Sequence, residues 1–271
     1  MTNSFSHENQ SILKITQLKD VVAGFSTKNG GVSKSHFESL NTGLHVHDDP
    51  EDVINNRRRI ADFLSFPLES WVCAEQTHKD RIKKVSRLDA GKGATEYLTS
   101  IQDTDGLYTG EKGLLLVLCY ADCVPIYFYD HDKKLVGVVH AGWKGTVANI
   151  AGKMIQRWKQ EENSAIESIQ AVIGPSICEN CYVVDDYVVD QVNKHLHKSD
   201  DKPYEEVSKG QYRLDLKKLN RQLLLKAGLK QEQIHSSSLC TSCHSDLFFS
   251  HRRDRGKTGR MMSFIGLKEE S

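Results

Sequence analysis

The chain has 271 residues, enough for one large domain or two small ones, and 38% of them are hydrophobic, as in a chain with a substantial core. Its 36 Lys and Arg are balanced by 36 Asp and Glu, which argues against a general binder of nucleic acid or anionic membrane, since those classes carry a basic excess. The apolar runs are strand-length, far short of the ~20 residues a membrane helix needs, and Met1 to Gln10 lacks a signal-peptide core, so a cytoplasmic protein is expected.

Residues 1–10 read as a loose tail, and Ile12 to Phe25 as a first strand or two. Ser26 to Ser33 contains Asn29-Gly30-Gly31, turn chemistry without the spacing of a phosphate-binding loop. Asp49-Pro50-Glu51-Asp52 starts a helix: an Asp cap, Pro at the first helical position and acids in the first turn. Val53, Ile60, Ala61 and Leu64 form its buried face, and Arg57, Arg58 and Arg59 are read as a solvated one. Trp71 to Ala74 resembles a strand closed by Glu75-Gln76-Thr77-His78. Residues 85–112 are a connection ending in the turn Asp103-Thr104-Asp105-Gly106.

Residues 113–158 organise the rest. Leu114–Cys119, Ile126–Asp130 and Leu135–His140 are three strands, with His131 to Lys134 as a hairpin turn. If the hairpin closes in register, Asp130 faces Leu135 and Pro125 faces His140, so Cys123 lies beside His140 at the open end. A glycine-bearing turn, Ala141 to Gly145, follows, and Thr146 suits a helix cap. Val147, Ile150, Ala151, Met154, Ile155 and Trp158 then form an apolar stripe. The helix start would favour an anion next to His140.

Ile169–Ile173 is a further strand, ended by Gly174-Pro175-Ser176. A helix spans about 185–197, with Val188, Val192, His195 and Leu196 inward, and 198–210 is a charged surface loop. Asp215 caps another helix, with Leu216, Leu219, Leu223, Leu224 and Ala227 inside and Gly228 as its stop. The last strand is Met261 to Leu267. Mixed strands and single helices, with no repeat and no linker, favour one α/β (α+β) domain with mixed sheets.

Three constellations carry candidate chemistry. His78, Cys123 and His140 each sit at a predicted strand end, and three N/S ligands with an open position make a catalytic zinc pattern. The bland alternative is a small buried thiol with two ordinary polar histidines. Seven cysteines without an export signal do not suggest a disulfide framework. Two C-x2-C pairs, Cys178/Cys181 and Cys240/Cys243, have zinc-like internal spacing but 58 residues between them, so turn thiols without metal are preferred. The basic stretch Arg252, Arg253, Arg255, Lys257 and Arg260 suits phosphate or carboxylate, or is a solvated loop.

Several motifs converge on one family. AEQTH (74–78), ADCVP (121–125), HAGWKGT (140–146), IGPSI (173–177) and FFSHRRDRGKTGRMMSFIGL (248–267) resemble the purine nucleoside phosphorylase family once described as laccase-domain, or multicopper polyphenol oxidase, proteins. FSTKNGGVS (25–33) and FESLNTGLHVHDDPEDVINNR (37–57) agree, so the resemblance runs from about residue 20 to 267. It implies a single domain across 1–271 in an α/β/β/α sandwich, and zinc held by His78, Cys123 and His140. It also implies phosphorolysis of adenosine, inosine, guanosine and methylthioadenosine, deamination of adenosine and, from the older description, copper-dependent oxidation of phenols. Lys28 and Lys144 stand where the family commonly has Arg, and His47 where it commonly has Gly. Lysine keeps the charge but loses the bidentate fork.

The leading expectation is therefore a zinc-dependent purine nucleoside enzyme, monomer or homodimer, taking small nucleosides and phosphate. Asp122 and Glu75 are the candidates for proton transfer, and Lys144, Arg252 and Arg253 for phosphate. Zinc is the expected cofactor, with copper as the other metal the resemblance allows. A thiol hydrolase using Cys123 as nucleophile and His140 as base is the alternative, and a zinc-stabilised interaction module built on the C-x2-C pairs is a third.

Overall fold

Alternating side chains let one strand serve two cores, and the central strands of this protein do so on both faces. The structure is a computed structural model, and it describes residues 4–269. In chain order it begins with β1 (Phe5–His7), β2 (Ile12–Ile15), β3 (Val22–Ser26), α1 (Pro50–Leu64), β4 (Trp71–Cys73) and β5 (Ile82–Lys84). Next come β6 (Gly106–Thr109), β7 (Leu115–Tyr120), β8 (Val124–Asp130), β9 (Leu135–Ala141), α2 (Trp143–Val147) and α3 (Ile150–Glu161). The remainder is β10 (Ile169–Ile173), β11 (Val183–Asp185), α4 (Asp186–Asn193), β12 (Tyr204–Ser208), β13 (Gln211–Leu214), α5 (Leu216–Lys226), β14 (Ile234–Ser236) and β15 (Met261–Gly266).

Two six-stranded mixed sheets, β1-β2-β3-β15-β7-β4 and β14-β10-β8-β9-β6-β5, pack face to face. Leu116, Leu118 and Tyr120 of β7 meet Tyr127 of β8 and Val136 and Val138 of β9 in the core between them. The opposite face of β7, Leu115 and Val117, packs with Ile60, Ala61 and Leu64 of α1. The opposite faces of β8 and β9, with Ile126, Phe128 and Val139, pack under Met154 and Trp158 of α3 and Leu219 and Leu223 of α5. This is the expected α/β/β/α sandwich. A strand buried on both faces reads as an unbroken apolar run, and β7–β9 do.

The β8–β9 hairpin closes in the expected register, with Pro125 opposite His140 and Asp130 opposite Leu135. Asp49 accepts from Glu51 N–H at the start of α1, and Asp215 from Lys218 N–H at the start of α5, as their caps foretell. Gly228, with φ 106°, stops α5.

Six readings are corrected. Within the expected loose tail, Phe5–His7 pairs with β2 and Phe5 is buried; residues 1–3 lie outside the described residues. The stretch taken as connection at 85–112 also holds β6, which pairs with β9. The surface loop expected at 198–210 holds β12, an edge of a three-stranded sheet β11-β13-β12, and the helix before it ends at Asn193. Thr146 is not a cap: α2 starts at Trp143, the chain breaks at Asn149 (φ 57°), and Asn149 caps α3 by accepting from Gly152 N–H. Thr146 Oγ1 instead accepts from Asn220 Nδ2 of α5. Finally, Arg58 and Arg59 are exposed but Arg57 is buried. It donates from Nε to Thr42 O at 2.9 Å and from Nη1 to Gly93 O and Ala94 O at 2.6 and 2.8 Å. One guanidinium thus ties the 42–45 loop to the 93–94 loop.

Candidate metal centre and substrate pocket

The open end of the β8–β9 hairpin faces the gap between the two sheets. His140 stands on the same face of β9 as Val136 and Val138, so its ring enters that gap, 5.3 Å between centroids from Tyr120. Cys123 lies one residue before β8, after Asp122, whose φ is 87°. His78 follows β4 with φ 60°, and its ring meets that of His140 edge-on at 4.7 Å. Asp and His enter the left-handed region more readily than most residues. One ligand atom from each of His78, Cys123 and His140 falls within 4.8 Å of the others. The three residues singled out from the sequence are brought together.

A fourth residue organises them. Asp105, fully buried just ahead of β6, places Oδ1 2.8 Å from His140 Nδ1. A carboxylate only accepts, so Nδ1 carries the proton and Nε2 is left for the metal or the thiol. Oδ1 also accepts from His78 N–H at 3.1 Å, and Oδ2 from Thr77 N–H and Lys79 N–H at 3.1 and 2.9 Å. Three consecutive amides thus close around one carboxylate, fixing the backbone that carries His78. Burial pushes the Asp105 carboxyl up, but His140 and these N–H donors outweigh it and hold it below its ordinary value. Sequence reading saw Asp105 only as part of a turn.

The thiol and imidazole perturb one another. Burial pushes Cys123 up, but the charge and hydrogen bonding of His140, with His78 behind, hold it down at about 6. Burial pushes His140 down, but the Cys123 thiolate and Asp105 raise it above an ordinary histidine. Both shifts run in the direction that favours a thiolate facing an imidazolium. Gly142 makes the close approach possible: a Cβ there would lie 3.0 Å from Cys123 Sγ and 3.3 Å from His78 Cδ2.

Above the trio lies a cavity of about 420 Å³, the size of a small-molecule site. Tyr97, Trp143 and Tyr182 supply aromatic surface, and Arg252 and Arg260 supply positive charge. His45, Gln76 and His251 add polar groups. Arg252 lies 4.7 Å over the Tyr182 ring and donates to Val183 O. Gln76 spans Cys119, donating to its O and accepting from its N–H.

The other expected residues are placed differently. Asp122 lines the cavity, but both its oxygens are engaged: Oδ1 accepts from Thr241 Oγ1 at 2.7 Å, and Oδ2 from Ser250 Oγ and Arg252 N–H at 3.0 and 2.7 Å. Glu75 is outside the lining and accepts from Asp103 N–H. Lys144 is exposed outside it, 5.7 Å over the Trp143 ring. Arg253 is outside as well, bonded to Asp254 and to the carbonyls of Thr241, Ser242 and Phe248. Lys28 lies in a separate groove with Arg253, while His47 keeps a left-handed backbone, φ 63°, at a position that suits glycine.

The family described as "Multi-copper polyphenol oxidoreductase laccase" matches residues 22–268. "Purine nucleoside phosphorylase YlmD" of Bacillus subtilis is 58% identical over 251 residues, covering 93% of this chain and 90% of its own. A protein of the same name from Geobacillus stearothermophilus is 55% identical over 249 residues, 92% of this chain and 91% of its own. The crystal structure of YlmD from Geobacillus stearothermophilus superposes with a TM-score of 0.97 at 51% identity, covering 98% of this chain and all of that one.

Proposed function

The chain belongs to the family described as Multi-copper polyphenol oxidoreductase laccase, and from that premise we propose that it is a zinc-dependent enzyme that phosphorolyses purine nucleosides. The observation that carries the reading is a metal-ready trio at the floor of a cavity with aromatic and cationic walls. Relatives named purine nucleoside phosphorylase, matched over more than nine-tenths of this chain, support nucleosides as the substrate class.

The donor set fits zinc. Two imidazoles and a thiolate are borderline-soft ligands, one imidazole is oriented by a carboxylate, and the fourth side faces the cavity. Bound by His78, Cys123 and His140, zinc would supply Lewis-acid polarisation of a substrate oxygen or of water.

In phosphorolysis the C1′–N9 bond of the nucleoside breaks and a C1′–O bond to phosphate forms, giving free base and ribose 1-phosphate. Tyr97, Trp143 and Tyr182 stack on the base and keep water from it. Arg252 and Arg260 attract phosphate and stabilise charge around the oxocarbenium-like transition state. Asp122 is a positioning residue: its three accepted bonds hold the 250–252 loop, and with it Arg252, against the trio. Adenosine, inosine, guanosine and methylthioadenosine are the substrates of this reading. Hydrolytic deamination of adenosine at C6 is a second reaction of the same cavity.

Zinc-replete protein incubated with adenosine, inosine and guanosine, with and without phosphate, tests the reading by chromatography. Adenosine with phosphate should give adenine and ribose 1-phosphate; adenosine without phosphate should give some inosine. No turnover of any purine nucleoside would refute it.

One observation favours a second reading. Cys123, His140 and Asp105 stand in the order of a thiol-protease-like triad, with the thiol already lowered. If activity survives chelation and a covalent adduct forms on Cys123, that reading replaces the first.

A further inference from the structure

We propose that Cys178, Cys181, Cys240 and Cys243 form a second zinc site, a structural one, that staples the loop after β10 to the loop after β14. The preference drawn from sequence, turn thiols without metal, rested on the wide gap between the two pairs. The fold removes that objection. β10 and β14 are parallel neighbours, and their pairing continues past the strand ends as a bridge between Ser176 and Cys240. Both pairs therefore leave the same end of the same sheet.

The sulfurs converge as a metal would require. All four Sγ atoms lie within 4.8 Å of one another, with Cys178 to Cys243 at 3.9 Å and Cys181 to Cys243 at 3.4 Å. Four sulfurs at a zinc–sulfur distance of ~2.3 Å in a tetrahedron stand about 3.8 Å apart. All four thiols are free. Cys240 Sγ accepts from the N–H of Cys178 at 3.3 Å and the N–H of Cys243 at 3.4 Å. Amide donors aimed at one sulfur from both loops suit a thiolate ligand, as outer-shell donors do in metal sites. Zinc with four thiolates carries two negative charges, and Lys217 brings a cation to the same place, its Nζ donating to Ser237 O and Leu239 O just before Cys240. Cys243 is exposed and Cys178 and Cys181 half-buried, so an ion can reach the cluster.

Four protein ligands leave no open position, so this ion would do no chemistry. Its effect is on shape. Ile177 and Tyr182, on either side of the first pair, line the substrate cavity. Thr241, inside the second pair, donates to Asp122 beside Cys123. The staple thus holds one wall of the cavity whatever reaction occurs there.

The test uses the full chain expressed with zinc, dialysed and assayed for metal by mass spectrometry. Wild type should hold two zinc ions per chain; the double variant His78→Ala/His140→Ala should keep one, and Cys178→Ser and Cys243→Ser should each lose one. In the double variant, the X-ray absorption edge of the retained zinc should fit four sulfurs at ~2.3 Å, and cobalt in its place should give the intense thiolate charge-transfer bands of a tetrahedral site. Should the serine variants fail to fold, the double variant still decides. A double variant without zinc, retained zinc with nitrogen or oxygen ligands, or rapid reaction of all four thiols with a thiol reagent in zinc-replete protein would overturn the proposal. So would an intact mass showing these cysteines as disulfides.

Discussion

Asp105→Asn changes one oxygen to an amide nitrogen and removes one charge at the centre of the site. The carboxylate accepts from His140 Nδ1–H and from three backbone N–H groups. An Asn side chain has one acceptor, so its NH2 must face donors on the other side. If the oxygen keeps the Oδ1 place, the Thr77 and Lys79 amides lose their acceptor. If it takes the Oδ2 place, the NH2 faces His140, which must shift its proton to Nε2 and turn a hydrogen towards Cys123. Two lost bonds to a charged acceptor at about 1.5–3 kcal/mol each give a loss of about 3–6 kcal/mol. Removing such an outer partner lowers metal affinity about 10- to 100-fold. The pH dependence follows from the sign of the shift. The folded Asp105 carboxyl lies below its unfolded value, so its stabilisation is full above about pH 4 and is lost as pH falls through the lower folded value. The variant should lack that acid-side decline. Urea unfolding between pH 2 and 8 and zinc competition with a chromophoric chelator measure both effects. Wild-type zinc affinity and an unchanged acid limb in Asp105→Asn would refute the assignment of Asp105 as the residue that orients the site.

Arg57→Met should lower stability by about 3–5 kcal/mol in urea unfolding, because it leaves the buried carbonyls of Thr42, Gly93 and Ala94 without their donor; a loss under ~1 kcal/mol would mean water or relaxation replaces it. Gly142→Ala should weaken zinc binding at the trio by at least about tenfold with little change in the melting temperature, since the new methyl meets Cys123 and His78 rather than the core; unchanged zinc affinity would show that the ligands can retreat. In chelated protein, iodoacetamide should label Cys123 at a rate that is flat above about pH 6 and falls below it, while zinc-replete protein resists, and fast labelling with zinc present would remove Cys123 from the ligand set.

A mixed α/β domain was legible because its central strands are apolar without alternation and α1 and α5 begin at Asp caps, whereas the sandwich was implied by the family resemblance. The hairpin register followed from turn length alone, and it placed Cys123 beside His140 correctly. Arg57 was legible in principle: it stands four residues after Val53 and three before Ile60, on the buried stripe of α1, but its charge suggested the opposite face. Asp105 had no local signal, because its partner is on a strand 35 residues away. β12 was hidden by its composition, since four of its five residues are exposed and no apolar alternation marks it. The meeting of the two C-x2-C pairs depends on β10 lying beside β14, a non-local pairing that spacing does not encode. Lys144 and Arg253 show the converse error, since a cation next to a motif is not thereby in the cavity.

The position of β15 has a consequence for biosynthesis. It lies between β3 and β7, in register with Val22–Phe25 on one side and Leu115–Tyr120 on the other. Those two strands have long left the ribosome when residues 261–266 are made, and until then each waits with a bare edge. Met261 and Met262 pair with Tyr120 and Cys119, next to Gln76 at the cavity floor. A nascent chain therefore exposes apolar edges that chaperones can bind. The cavity floor next to Cys119 and Tyr120 is complete only once β15 has emerged and paired with β7.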